Sequence, residues 1–234
     1  MIICLDTETT GSEAEDRILQ LALLVSGEEL FPTMYNECCD PKVAIKFDAM
    51  AVHHITPEMV AKKPLITDTV PYKKLLSYNT PENYLVIQNA AFDLDMLAKE
   101  GFSSNMKLID TIKIARHRLP DSPKHGLQYL RYSLGIYKQE AQYLEMIKAH
   151  DALGDVIVLY NLLQYFLDTG LSLDEMVELT VKPVLFKNFN FGKYRGQSIE
   201  QCRDRGYLEW CLKNMAELTD DWRYTLEYYY DKLR

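Results

Sequence analysis

Apolar and polar positions along the chain fall into two rhythms. Residues 2–5 form a short uninterrupted apolar run, residues 18–25 a longer and nearly all apolar one, and residues 31–35 a weaker third. Continuous runs of this length predict strands buried on both faces, and the short connections between them predict an antiparallel meander. A fourth run at 84–87 and a fifth at 108–109 predict two further strands. Helical signals alternate with them. Thr56-Pro57-Glu58 has a capping residue followed by proline, the pattern of a helix start. A helix from about residue 91 stops at Gly101, and another over 125–134 stops at Gly135. From Asp151 onward, Leu153, Val156, Ile157, Tyr160, Leu163 and Leu167 recur at helical spacing and mark one apolar face. A meander followed by alternating strands and helices gives a mixed α/β sheet.

The pattern changes after residue 168. Residues 171–180 predict a short linker helix capped by Ser172. The stretch FKNFNFGKYRGQ alternates aromatic and polar residues around two glycines, which predicts a small hairpin. YLEWCLKN and WRYTLEYYYDKL then predict two short helices. The expected organisation is a main body over 1–168, a linker helix over 169–182, and a small C-terminal α+β unit over 183–234.

Composition narrows the function classes. The chain has 234 residues, 47% of them hydrophobic, enough for one buried core and a small appended unit. No apolar run approaches the roughly 20 residues that span a bilayer, so no membrane partner is expected. The chain opens on MIICLD without a basic segment and a cleavable apolar stretch, and its five cysteines are odd in number and lack CxxC spacing. Both features predict a cytoplasmic, reducing setting without a disulfide framework. The net charge of −8 argues against a protein that coats nucleic acid, yet it suits an enzyme whose clustered acids are neutralised by metal ions. The charge is uneven: nine basic and eight acidic residues follow position 182, against 17 and 26 before it.

The acids carry the candidate chemistry. Asp6 and Glu8 stand two apart in LDTETTG, so in a strand both side chains leave the same face and reach one ion. Thr9, Thr10 and Gly11 follow as a turn with backbone N–H groups and hydroxyls on offer. Phosphodiester hydrolysis needs a deprotonated water, a stabilised pentacoordinate phosphorus and a stabilised leaving oxygen. Two hard cations roughly 3.5–4 Å apart serve all three, and they take oxygen ligands. Taken alone, DxE equally suits a capping acid in a surface turn. Asp93 follows Asn89 by four residues in the first turn of the predicted helix, where an acid is also an ordinary dipole partner. His150 and Asp155 lie five apart in HDALGD. On one continuous helix they would diverge by about 140°. With Asp151 as the cap and His150 just ahead of the helix, both face one cleft. An imidazole ionises near pH 6.5 and suits a general base. His53, His54 and His117 read as solvated histidines, whereas His125 in KHGL reads as an anchor for a helix start.

Together these stretches resemble the DEDDh branch of the 3′–5′ exonuclease superfamily, the ribonuclease H-like family that includes the proofreading epsilon subunit of bacterial DNA polymerase III. LDTETTG matches the first motif, NAAFD the second and HDALGD the third. HHITPEM, LIDTIKIAR and KHGLQYL agree more weakly, and the likeness spans about residues 1–168. Gln88 departs from the histidine common at that position and would alter hydrogen bonding behind the metal ligands. The C-terminal stretch FGKYRGQSIEQCRDRGYLEWCLKN is similar to the small domain of exonuclease X-like members.

The resemblance implies a ribonuclease H-like five-stranded mixed sheet flanked by helices. It implies that Asp6, Glu8, Asp93 and Asp155 hold two Mg²⁺ or Mn²⁺ ions, with Asp6 bridging them and His150 deprotonating the attacking water. Glu8, Thr9, Thr10 and Asn89 would meet the terminal nucleotide, whose 3′-hydroxyl explains cutting from a free 3′ end. The implied activity is a 3′–5′ exodeoxyribonuclease that releases nucleoside 5′-monophosphates from single-stranded or frayed DNA. An RNA-trimming relative uses the same five residues. A third reading is a proofreading or interaction subunit bound to a DNA polymerase or repair partner. The C-terminal unit weighs against the third and favours a stand-alone enzyme: it is rich in tyrosine and tryptophan and predicts a folded body, unlike a flexible docking tail. Its Lys187, Lys193, Tyr194, Arg195, Arg203 and Arg205 offer a candidate strand-binding surface, while Tyr207, Trp210 and Trp222 are expected to pack.

Overall fold

The computed structural model describes residues 1–27, 29–140, 146–148 and 150–233. A five-stranded sheet in the order β3-β2-β1-β4-β5 positions everything else. β1 (Ile2–Thr9), β2 (Ile18–Ser26) and β3 (Thr33–Cys38) form the antiparallel meander. β4 (Tyr84–Ile87) pairs parallel to β1, and β5 (Lys107–Asp110) parallel to β4. This is the mixed sheet that the pattern predicts, with two local differences. β1 runs on through the acids to Thr9, because its polar half keeps pairing with β2 as far as Thr9 opposite Ile18. β3 starts two residues later than the apolar run, because Leu30 and Phe31 are 89% and 76% exposed in the preceding turn.

Side-chain alternation along the strands divides the core into two layers. Ile3, Leu5, Leu21, Leu23, Leu85 and Ile87 point to one face. There they pack against α3 (Val70–Ser77) and α4 (Ala90–Lys99), through Tyr72, Leu75, Met96 and Leu97. Cys4, Ala22, Leu24, Val86 and Ile109 point to the other. They meet α5 (Thr111–Arg118), α6 (Leu127–Ser133), α7 (Ala152–Asp168) and α8 (Leu173–Val181). α7 buries Val156, Ile157, Leu159, Leu162, Leu163 and Phe166 against the sheet, more than the single face that its spacing predicts.

α8 begins at the expected cap, since the Ser172 hydroxyl accepts the Glu175 N–H and the Glu175 carboxylate accepts the Ser172 N–H. It is a docked element rather than a free linker: Met176 is fully buried and the Thr180 hydroxyl accepts the Asp110 N–H of β5. Three helices have little sequence signal, namely α1 (Phe47–His53), α3 and α5. α1 exposes Phe47 and Val52 and buries only His53, so apolar periodicity does not mark it. A four-residue helix, α2 (Pro57–Val60), starts where Thr56-Pro57 predicts.

Beyond Lys182 the chain forms a third cluster around Phe189, Ile199, Leu208, Trp222 and Leu226, with α9 (Arg205–Asn214) and α10 (Asp220–Lys232). The expected hairpin reduces to one bridge between Asn188 and Ser198, because the aromatics turn inward to pack instead of alternating across a ladder. Trp222 is buried as expected, whereas Trp210 is 55% exposed and lies over Tyr207. No single helix among the described residues is long and apolar enough to cross a membrane.

Candidate active site

Asp6 and Glu8 leave β1 on the face covered by α7, and Asp155 projects toward them from the first turn of that helix. One carboxylate oxygen from each of Asp6, Glu8 and Asp155 lies within 4.8 Å of the others. Three acids this close repel one another. Burial first, then Asp93, Asp155 and Glu8, push Asp6 well above the usual carboxylate range. Burial, with Asp155, Asp151 and Asp93, raises Glu8 to about 8. Asp155 is raised by burial, against the lowering effect of Gln128 and His150. A set of hard oxygen donors that resists losing its protons is a set that a divalent cation would compensate.

Asp93 arrives from the opposite layer. It sits in the first turn of α4, 4% exposed, and its Oδ1 accepts both the Thr7 N–H (3.1 Å) and the Thr7 hydroxyl (2.7 Å). Thr7 faces away from Asp6 and Glu8 by strand alternation, so Asp93 contacts β1 from the other face of the sheet. Burial raises it to about 7 despite those two donors. It is the leading charge felt by Asp6 without belonging to the tight trio. The start of α4 is fixed by Asp110, whose carboxylate accepts the N–H groups of Asn89, Ala90 and Ile112. Asn89 itself adopts a left-handed conformation at φ 67°, a region that asparagine tolerates.

His150 also has a left-handed backbone, φ 57°, one residue before the Asp151 cap position. Asp151 does not cap with its side chain; its Oδ1 accepts the Gln20 amide instead (2.8 Å). The turn brings a backbone hydrogen bond from His150 to Asp155 and sets the exposed imidazole within electrostatic reach of both Asp155 and His53. Gly154 makes this approach feasible. A Cβ there would stand 2.5 Å from the Lys148 carbonyl oxygen, so any larger residue would push away the segment that leads into His150.

Several residues that hold the site carry no periodic signal. The Gln128 amide donates to Asp155 Oδ1 (2.6 Å), while its own carbonyl accepts from Arg131 (3.2 Å). Arg131 is in turn bound by the fully buried Glu140 at 2.7 Å. Gln88 donates to the His125 carbonyl and accepts from Thr111, so it does act in the hydrogen bonding behind the site. His125 anchors the start of α6 as expected, its Nε2 lying 2.9 Å from the Leu119 carbonyl. Asp16 organises the turn after β1. Burial alone would raise it, but Lys46, the Glu13 N–H and the Thr10 hydroxyl hold it below the usual carboxylate range.

That turn corrects one expectation. Thr10 is fully buried, its N–H donates to the Arg17 carbonyl and its hydroxyl to Asp16, so neither group is on offer to a substrate. Thr9 differs: although its hydroxyl donates to the Gly11 carbonyl, it lines a cavity of about 400 Å³ with Glu8, Val52, His53 and Phe92. His53 is not the solvated residue that the sequence suggests. It is 7% exposed, its Nδ1 accepts the Ile55 N–H, and its Nε2 is buried on the side of the Thr9 carbonyl. Burial lowers its pKa, against the pull of the Thr9 carbonyl, and so favours the neutral ring.

The raised acids predict a pH dependence in the metal-free protein. Groups whose folded pKa exceeds the unfolded value contribute stability that is lost as pH rises toward the folded pKa. For Glu8 that window runs from its ordinary 4.5 to about 8. Metal-free Glu8→Gln is therefore expected to melt above the unmodified protein by a margin that widens from pH 5 to pH 8 and closes on adding Mg²⁺. Thermal melts at four pH values check this; a margin independent of pH would contradict the repulsion described.

Comparison with known proteins bears on the same residues. A family model described as Exonuclease matches residues 3–163, and one described as Exodeoxyribonuclease X-like C-terminal matches residues 189–216. The chain is 31% identical to "Exodeoxyribonuclease 10" of Escherichia coli (strain K12) over 98% of both proteins. It is 30% identical to "DNA polymerase III subunit epsilon" of Treponema pallidum over 56% of this chain and 63% of that one. Among solved structures, "Exonuclease X in complex with 5' overhanging duplex DNA" superposes with a TM-score of 0.59 at 26% identity, covering 77% of this chain and 99% of that one. An exonuclease I of E. coli in complex with a dA16 oligonucleotide shares the fold, with a TM-score of 0.55 at 17% identity.

Proposed function

Since the chain belongs to the exonuclease family, we propose that it is a 3′–5′ exodeoxyribonuclease that removes nucleoside 5′-monophosphates from single-stranded or frayed DNA ends. The observation that carries this is the trio of Asp6, Glu8 and Asp155, with Asp93 beside it, at the carboxyl edge of the sheet. In this reading Asp6, Glu8 and Asp155 would hold one divalent ion, and Asp6 with Asp93 would serve a second; Mg²⁺ and Mn²⁺ suit such all-oxygen sets. When bound, the ions would supply an activated water and stabilise the charge that develops on phosphorus.

The chain's own groups divide the remaining work. His150 takes the proton of the attacking water, positioned by its backbone contact with Asp155. Gln128 keeps Asp155 in one rotamer. The terminal nucleotide occupies the cavity beside Glu8, whose walls include the apolar Val52 and Phe92 and the polar Thr9. Asn89 lies outside this cavity, so a role in binding would concern a neighbouring nucleotide. Residues 1–168 with the docked α8 form the catalytic body, and residues 183–234 a second unit. A cytoplasmic setting and a polymerase or repair partner remain parts of this proposal, supported by the likeness to polymerase III epsilon subunits.

The test is digestion of oligonucleotides labelled at the 3′ or 5′ end, with Mg²⁺ or Mn²⁺. Stepwise shortening of DNA from the 3′ end, with nucleoside 5′-monophosphate as product, is the expected result. Digestion of RNA in preference to DNA would move the protein to the RNA-trimming reading.

A further inference from the structure

A second cavity, of about 620 Å³, lies between the loop from Pro120 to Gly126 and the C-terminal unit. Its lining contains Arg116, Lys124, Lys187, Arg195 and His125 and no acidic residue, in a chain whose net charge is −8. Phe186 and Trp222 form part of the wall, stacked on one another with ring centroids 4.5 Å apart. The Arg116 guanidinium lies 5.5 Å from the centre of the Phe186 ring and 3.6 Å from Asp221. Lys187 is held by the exposed Asp121, a pair that a competing anion displaces readily. Lys124 and Arg195 make no side-chain hydrogen bond or ion pair among the described residues. Four like charges line the cavity and two of them, Lys124 and Arg195, have no acid against them, which points to an anion that completes them; aromatic walls suit a ligand with flat rings.

The position of the cavity says which anion. Gly126 lines it, and two residues later Gln128 donates to Asp155 in the trio. Two peptide units span at most about 7.6 Å. On the other side, the His125 carbonyl accepts from Gln88, which stands two residues beyond the Val86 pairing of β4, as Asp6 stands two beyond the paired Cys4 of β1. The cationic cavity thus opens next to the edge that carries the acids. We propose that it receives the phosphodiester backbone of the DNA strand a few nucleotides 5′ of the end being removed. This rests on the exonuclease reading above, and it gives the C-terminal unit a role as one wall of the substrate track. The basic residues that the sequence groups together divide accordingly. Lys187 and Arg195 face the cavity, whereas Lys193 is paired with Asp204 and Arg205 lies over Tyr230.

The test compares the intact protein with the double variant Lys124→Ala/Arg195→Ala. Fluorescence anisotropy of a labelled 20-nucleotide dT strand, without added metal, reads binding independently of hydrolysis. Loss of two phosphate contacts is expected to make the slope of log K against log salt shallower by about 1.4 and to weaken binding roughly 25-fold near 0.1 M salt. KM for a dinucleotide, too short to reach the cavity, is expected to stay unchanged, and Lys124→Arg/Arg195→Lys is expected to keep the original slope. An unchanged slope in the alanine variant, or an equal rise in KM for the dinucleotide, would overturn the proposal. Failure of the unmodified protein to hydrolyse either DNA would instead count against the exonuclease reading, with the binding slope still deciding the cavity's role.

Discussion

Asp6→Ala is expected to lower metal-supported DNA hydrolysis by roughly 10⁴-fold, the scale on which members of a coupled catalytic set act, while the protein stays folded. Asp6 is the acid nearest in effect to all the others: Asp93, Asp155 and Glu8 each raise it. It is therefore the group whose loss deprives both proposed ion positions at once. The same geometry sets the sign of the stability change. Without metal, Asp6 stands among acids that repel it, so its removal relieves repulsion and the metal-free variant is expected to melt at or above the temperature of the unmodified protein. With saturating Mg²⁺ the order reverses, because the unmodified protein gains binding free energy that the variant lacks. Turnover measured with melts in the presence and absence of Mg²⁺ checks both halves. Activity lost together with the cooperative melt would mean that Asp6 is structural, and the assignment would fail. Asp155→Ala is expected to behave in the same way, with an added cost from the orphaned Gln128 amide.

His150→Ala is expected to reduce kcat by about 10²- to 10⁴-fold, the usual worth of a positioned general base, with little change in metal affinity. The reason is geometric. His150 lies outside the trio of ligand atoms, and although its imidazole acts on Asp155 through charge, its backbone hydrogen bond to Asp155 is one that alanine can also make. Kinetics and Mn²⁺ titration on one preparation separate the alternatives. A collapse of metal affinity would make His150 a ligand, and an unchanged kcat would remove it from proton transfer.

What the sequence shows and what it leaves out follow from distance along the chain. Asp6 and Glu8 are legible because strand alternation alone puts them on one face, and Asp155 because a helix begins just before it. The five strands are legible because each is an apolar run between polar turns. The supports of the site are not. Thr7 meets Asp93 from 86 residues away, and Gln128 meets Asp155 from 27. Such pairs have no period, and their members read as ordinary surface residues until the layers come together. The same holds for His53, whose helix exposes Phe47 and Val52 and fully buries only the histidine. Thr10 misleads for the converse reason: a hydroxyl in a turn after a strand reads as available, but Asp16, six residues on, takes it.

The two helices that bring acids to β1 lie on opposite faces of the sheet, which ties the site to the order in which the protein assembles. Asp93 comes with the layer of α3 and α4, and Asp155 with the layer of α5 to α8. An intermediate with one layer docked would have most of its helical content and a half-built strand edge, but not the full set of carboxylates. Both layers close over long sequence separations, which makes their docking slow relative to helix formation. During refolding the capacity to hold ions should thus return in the last phase, after the backbone signal has recovered. A chain trapped with one layer undocked would be compact, helical and unable to cut DNA.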